Sequence, residues 1–316
     1  MLNAIIISLL PSVVKKYIYR LKGFNVSKKC KLGFGAIINV EICEIQDYTR
    51  VASFSYIKAR KLVLEKESKI KSFSYIKAYQ VNLGAASIIS NFVIIRASHL
   101  SESSKINVGK LVHIFPFSVI DCTRGVSIGD YSGIGSFTNI YTHGSYRSIL
   151  NGYPVDYGDV AIGKNVELTY NVFVAPGVTI HDNSTVAYGA FVNKDVEKDS
   201  LCGGLPARTI RNDYLGKELS TEEKNQVLNL IFSALLEELK FKQIDYNQVE
   251  YMFDLNTEIG SKKQYIICFS LNEEISVDKK AVFTIGKETC NYKKNDKIID
   301  SIISLYSRYG IRFLRD

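Results

Sequence analysis

Four histidines stand in this chain, His99, His113, His143 and His181. Imidazole is the side chain best suited to take a proton near neutral pH, so each is a candidate base. Their settings differ. His143 opens a long polar stretch, rich in Gly and Tyr, that runs to Asp159; loops projecting from a rigid scaffold are where binding and catalysis concentrate. His99 falls at a corner of the repeat described below, His113 in an irregular part of it and His181 at a turn, so His143 is the preferred base. Asp156 and Asp159 are candidates for the carboxylate that orients it, by nearness in sequence alone. Six cysteines, Cys30, Cys43, Cys122, Cys202, Cys268 and Cys290, are scattered without a CxxC pair. That pattern predicts reduced thiols in a cytoplasmic protein, and no metal site is expected.

What must position His143 is a six-residue repeat. Ser53–Ala59 and Ser72–Ala78 are the same heptapeptide, SFSYIKA, and Asn91–Ala97 is a looser third copy at the same 19-residue offset. Aliphatic residues recur every six positions: Ile45, Val51, Ile57; Leu64, Ile70, Ile76; Leu83, Ile89, Ile95; Ile128, Ile134, Ile140; then Ile162, Leu168, Val174, Ile180, Val186 and Val192. Four residues after the aliphatic comes a small or branched one, as at Ser132, Thr138, Val166, Val172, Val178, Ser184, Ala190 and Val196. The next aliphatic follows two residues later, so both point to one side of a short strand. An α-helix would need a period of 3.6 and a lone strand a period of 2. Three hexads close a triangular coil, and the segment of about Lys28 to Arg211 is predicted to be a parallel β-helix. The third hexad of the early coils breaks the small-residue rule at Lys61, Gln80 and His99, so one corner carries an extra residue. A loop is expected near Leu100–Lys105. The largest break falls between Ile140 and Ile162, with His143 at its base.

The net charge is +8, unevenly placed. Lys15, Lys16, Arg20, Lys22, Lys28 and Lys29 crowd the first thirty residues without an acid. The apolar run Ile5–Leu10 before them is too short to span a bilayer, and no small-residue cleavage site follows it. Residues 1–29 therefore read as a basic amphipathic element on the inner face of a membrane, or as a cap on the open end of the solenoid. Lys58, Lys77 and Arg96 should stack in one outward column, either as a solvated face or as a rail for an anionic polymer or phosphate.

Three stretches carry a family resemblance: IGDYSGIGSFTNIYTH (Ile128–His143), IGKNVELTYNVFVAPGVTIHDNSTVAYGAFVNKDV (Ile162–Val196) and GGLPARTIR (Gly203–Arg211). In this order they resemble the left-handed β-helix, hexapeptide-repeat acyltransferases, most of all the branch that acetylates sugars, antibiotics and surface polysaccharides. The resemblance implies His143 as general base, acetyl-CoA as donor, direct transfer without an acyl-enzyme, and a homotrimer with its sites between neighbouring β-helices. It places Gly189, Ala190, Asn193 and Lys194 along the pantetheine arm. Arg208 and Arg211 fall at the phosphates, where cations suit a polyanion. Glu167 stands where the family usually has tryptophan, and His181 where it usually has glycine. These departures bear on the acceptor pocket more than on the donor site.

After Arg211 the six-residue period stops. Ser220 and Glu223 form a capping box opening a helix to about Lys240, with Val227, Leu228, Ile231, Ala234, Leu235 and Leu239 as its apolar stripe. Strand-like runs follow at Gln264–Leu271 and Ala281–Ile285, then a helix at about Asp296–Tyr309 with Ile298, Ile299, Ile302, Leu305 and Tyr309 inward. The expected organisation is a mainly β chain: an N-terminal segment (1–27), a left-handed parallel β-helix (28–211) and a small α+β domain (212–316). The expected function is O-acetylation of a sugar hydroxyl on a cell-surface polysaccharide or its precursor. Tyr141, Tyr146, Tyr153 and Tyr157 suit a carbohydrate acceptor; Tyr141, Asn151, Tyr153 and Asp156 are the candidate acceptor contacts. No nucleic-acid partner is expected. The alternatives are N-acetylation of a nucleotide-linked amino sugar, and a β-helix scaffold without catalysis.

Overall fold

The structure, a computed structural model, describes residues 2–144, 147–254, 264–270, 281–285, 289–292 and 296–315. It divides into two compact units, Met1–Leu215 and Gly216–Asp316.

The first unit is a parallel β-helix, as the six-residue period predicts. Each coil contributes one short strand to each of three faces. On the first face Leu32, Val51, Ile70 and Ile89 lie in register, and Ile114, Ile134, Leu168 and Val186 continue the column. Ile38, Ile57, Ile76, Ile95, Ile120, Ile140, Val174 and Val192 form the second column. Leu64, Leu83, Val108, Ile128, Ile162 and Ile180 belong to the third. All of these side chains are buried. The small residues four positions on are buried too, from Ser132 to Val196. At Ser74 the hydroxyl lies within hydrogen-bond reach of two corner carbonyls, Lys71 O at 2.8 Å and Ser90 O at 2.9 Å, whereas the buried Ser68 hydroxyl has no such partner. The Ser74 side chain is thus accepted inside an apolar prism because the backbone supplies its partner.

The two long strands Ile37–Ile45 and Tyr56–Leu64 run around a corner without a break. They absorb the extra residue of the 19-residue coil, and Leu62 and Val81 take the inward place that Lys61 and Gln80 leave. The insertion between the strands Ile94–Arg96 and Lys105–Val108 includes the loop expected near Leu100–Lys105.

At the corner between the first and second faces, Phe54, Phe73, Phe92, Phe117 and Phe137 each take the left-handed conformation, with φ of 60 to 64°. Such a conformation costs a branched or bulky residue about 1–2 kcal/mol. The rings stack along the helix axis with centroids 5.1–5.5 Å apart, and each aromatic pair returns about 0.5–1.5 kcal/mol. Stacking therefore offsets the backbone strain.

Two helices precede the first coil, α1 (Leu2–Ser8) and α2 (Ser12–Leu21). They close the end of the core: Tyr19 is buried, the Lys15 ammonium donates to Gly33 O, and Arg20 Nε donates to Val26 O at 2.6 Å. Residues 1–27 belong to the same compact unit as the coils, in keeping with the cap that the sequence offers as one reading.

The second unit has the five-stranded order Val249–Asp254, Tyr265–Ser270, Ala281–Thr284, Thr289–Tyr292, Leu314–Arg315. Its helices are α3 (Thr221–Phe241) and α4 (Lys297–Arg308). The capping box forms: Glu223 N–H donates to Ser220 Oγ and Ser220 N–H to Glu223 Oε2. Leu228, Ile231, Leu235 and Leu239 are buried, while Val227 is exposed. Tyr309, expected inward, is exposed, and Tyr306 is buried in its place. It lies four residues after Ile302 on the same helical face, whereas Tyr309 falls just past the last turn. Leu271, within the expected strand run, lies outside the described residues.

Replacing Phe92 by Ala removes two stacked ring pairs and keeps the left-handed turn. A loss of about 1–3 kcal/mol in urea unfolding is expected. Phe92→Asn should lose less, because asparagine tolerates that conformation.

Candidate active site

Between the strands Asn139–Ile140 and Val160–Ile162 the chain leaves the coil. The excursion is pinned at its root. His143 and Tyr157 form an antiparallel bridge, Gly144 N–H donates to Asp156 O at 2.9 Å, and Gly158 N–H donates to Thr142 O at 3.1 Å. Gly158 is needed there, since a Cβ on it would lie 2.5 Å from Gly177 Cα. His143 thus sits on the ordered rim of the loop.

Beneath His143 lies Asp121, at the end of the strand Val119–Asp121 one coil earlier. His143 Nδ1 is 2.9 Å from Asp121 Oδ1, with the imidazole 26% exposed and the carboxylate 3% exposed. Thr142 Oγ1 donates to the same oxygen at 2.7 Å. Thr123 adds its N–H to Oδ1 at 3.2 Å and its hydroxyl to Oδ2 at 3.1 Å. A buried carboxylate is tolerated because its lone pairs are met by donors. With Nδ1–H donated to Asp121, Nε2 is the nitrogen left to act as base. The Tyr157 ring lies parallel to the imidazole with centroids 6.0 Å apart, and the Arg124 guanidinium stands 4.7 Å over that ring.

Neither Asp156 nor Asp159 orients the imidazole. Asp156 holds the loop root through its backbone carbonyl, and Asp121, 22 residues upstream of His143, takes the role. The corner after it differs from those below. The step from the inward Ile120 to Ile128 is eight positions, against seven from Ile76 to Leu83 and thirteen from Ile95 to Val108, and Gly125 turns there with φ of 117°. Asp121 stands in register with Lys58, Lys77 and Arg96 as the first acid of that column, an alignment set by the stacking of the coils.

The other histidines have different surroundings. His113 Nε2 lies 2.9 Å from Ser90 Oγ and its ring stacks on Phe115. His99 meets the Ser98 hydroxyl, and His181 is exposed. Among the described residues, His143 is the one histidine within ion-pair range of a carboxylate.

No family model matches the chain. WcaF of Escherichia coli (strain K12), which carries the name of a colanic acid biosynthesis acetyltransferase, is 32% identical over 123 residues, covering 33% of this chain and 68% of that protein. The chain belongs to the hexapeptide-repeat, left-handed β-helix acyltransferase family. Galactoside O-acetyltransferase of Escherichia coli (strain K12) is 30% identical over 124 residues, covering 36% of this chain and 57% of that protein, little more than half its length. Among solved structures, LpxA from Acinetobacter baumannii aligns with a TM-score of 0.45 at 14% identity, over 60% of this chain and 70% of that one.

The residues expected along the acyltransferase donor site fall on the last coils. The strand register sets Val192 two coils beyond Ile140, so Asn193 lies on the face from which His143 emerges, about 10 Å along the axis. Asn193 and Lys194 are exposed. Ala190 points inward; the Gly189 N–H donates to Tyr170 O on the preceding coil, and the Ala190 N–H donates to Ala187 O in its own turn. Gly189 (φ 71°) has open space where a Cβ would stand. Arg208 and Arg211 are exposed on the strand Ala207–Arg211, which pairs antiparallel with Leu201–Gly204. Of the acceptor candidates, Tyr141 stacks on Phe173 beside the loop root, whereas Asn151 and Tyr153 are out on the exposed loop. Tyr153 lies under the Arg147 guanidinium at 4.6 Å. Tyr146 lies outside the described residues.

Asp121→Asn keeps the size of the side chain but removes the charge that fixes the tautomer. Turnover should fall about 10²–10⁴-fold while circular dichroism and the KM for the donor stay close to wild type.

Proposed function

We propose that this acyltransferase moves an acetyl group from acetyl-CoA to a sugar hydroxyl of a cell-surface polysaccharide or its precursor, with His143 as general base. The observation that carries the reading is the His143–Asp121 pair at the root of a loop rising from a rigid coil. Names of the relatives, WcaF and galactoside O-acetyltransferase, favour a sugar acceptor and transfer to oxygen.

The donor supplies an activated acetyl carbon, to which the acceptor oxygen bonds as the carbon–sulfur bond breaks. His143 Nε2 takes the hydroxyl proton and returns it to the departing sulfur. Asp121 holds the ring and stabilises its protonated form; Thr142 and Thr123 keep the carboxylate in place. Tyr157 and Tyr141 provide flat surfaces beside the base that suit sugar faces. The exposed cations Lys194, Arg208 and Arg211, with the open position at Gly189, fit a phosphorylated donor.

Direct transfer agrees with the state of the thiol next to Asp121. Cys122 adjoins Asp121 and is fully buried. Burial, and then the Asp121 charge, push its pKa up to about 12, so it is not a thiolate at neutral pH. In the same reading the protein is a homotrimer whose sites lie between copies. Leu150, 92% exposed at the loop tip, would then be covered by a neighbouring copy.

Acetyl-CoA turnover against candidate oligosaccharides tests the reading. His143→Ala should lose at least about 10²-fold in kcat, and Cys122→Ala should stay within a few fold of wild type. A product acetyl stable to mild alkali would mark an amide and overturn O-acetylation. Full activity of His143→Ala would remove the base assignment.

Coenzyme A at a hundred times its Kd should raise the unfolding free energy by about 2.7 kcal/mol, read as a higher Tm. Sedimentation should give three times the 35.5 kDa chain mass; a monomer at working concentration would refute the trimer.

A further inference from the structure

The N-terminal helices cover the open end of the β-helix with one face and leave the other face apolar. On α2, Lys15 and Tyr19 point into the coil end. Val13, Tyr17 and Leu21, spaced four apart on one stripe, are 73%, 62% and 70% exposed. Ile6 and Leu9 are more than half exposed just before them. Capping the solenoid therefore accounts for half of α2 and not for this stripe.

Beside the stripe is a cavity of about 520 Å³ whose lining includes five cations, Lys16, Lys28, Lys29, Lys31 and Arg50, and no carboxylate. Val13 also lines it, so the cationic cleft and the apolar stripe adjoin. Two of the five are partly engaged: Lys29 pairs with Asp47 at 2.9 Å, and Lys16 Nζ donates to Lys28 O and Cys30 O at 2.6 and 3.1 Å. Lys28, Lys31 and Arg50 are exposed. Lys31 and Arg50 are direct register partners, and Lys69 follows on the next coil. Like charges set opposite each other on neighbouring strands destabilise a sheet, so this column favours a bound anion.

We propose that α2 and this cleft dock the protein on a bilayer surface containing anionic phospholipids. A headgroup phosphate seats among Lys28, Lys31 and Arg50, and Val13, Tyr17 and Leu21 enter the headgroup–acyl boundary. Charge complementarity selects the occupant. A second copy would bring cations to cations, and a soluble polyanion would leave the aliphatic stripe in water. Among the described residues no helix is long and apolar enough to cross a membrane; the docking proposed is a surface contact. The docking does not depend on the acetyl-transfer reading, and its test reads no enzyme activity.

The experiment is vesicle flotation of the full chain with phosphatidylglycerol–phosphatidylcholine vesicles, beside pure phosphatidylcholine and inorganic pyrophosphate. Wild type should float with the anionic vesicles and be released by high salt. Lys28→Ala and Lys31→Ala should each weaken partition about fivefold. Val13→Asp with Tyr17→Asp should abolish it while the melting curve is retained, since both positions are exposed. Flotation that neither pair alters would overturn the proposal, and so would no flotation at all. Two results would replace it: pyrophosphate binding without flotation, giving a soluble ligand, or a change in sedimenting mass of the Val13/Tyr17 variant when wild type does not float, giving an interface between copies.

Discussion

A coil of this β-helix cannot satisfy its own backbone. Its strands are two to nine residues long, and their N–H and C=O groups find partners on the coils above and below. Parallel pairing in strict register is therefore the constraint on which the rest depends. Once Ile57 lies over Ile76, and Ile76 over Ile95, every neighbouring position is aligned as well. The aromatic column at the corner, the small buried residues and the cation columns follow from one register.

Repetition alone makes a rod with equivalent sides. Chemistry enters where the register is preserved but the coil length changes. The added residue after Ile120 is taken up at the corner beyond Asp121, and the excursion after Ile140 is closed by pairing at His143 and Tyr157. Neither insertion disturbs the columns, since Ile120, Ile140 and Val174 remain in line. A carboxylate and an imidazole are consequently held by elements that cannot shift independently. Such positioning is what a general base requires.

The N-terminal end shows the same economy of surface. A solenoid exposes its core at its ends and needs a cap. Here the cap is a helix with Lys15 buried against a backbone carbonyl, and desolvation holds that ammonium below its ordinary pKa. The polar atom is accommodated because Gly33 O accepts from it. The outer side of the same helix is then free to present Val13, Tyr17 and Leu21 beside a cationic cleft.

The β-helix and most of its inward residues were legible in the sequence because a period of six is a local property. Each hexad carries its own large and small inward positions, and no distant contact is needed to see them. The loop with His143 was legible for the same reason, as a gap in the period. The capping box at Ser220 and Glu223 is equally local. Asp121 was not. Its selection depends on which residue of the preceding coil lies under His143, and that is fixed by how many residues each corner absorbs. The exposed side of Tyr309 was hidden likewise, because it depends on which face of a helix packs. Sequence period determined the coil; stacking of one coil on the next decided which carboxylate meets His143.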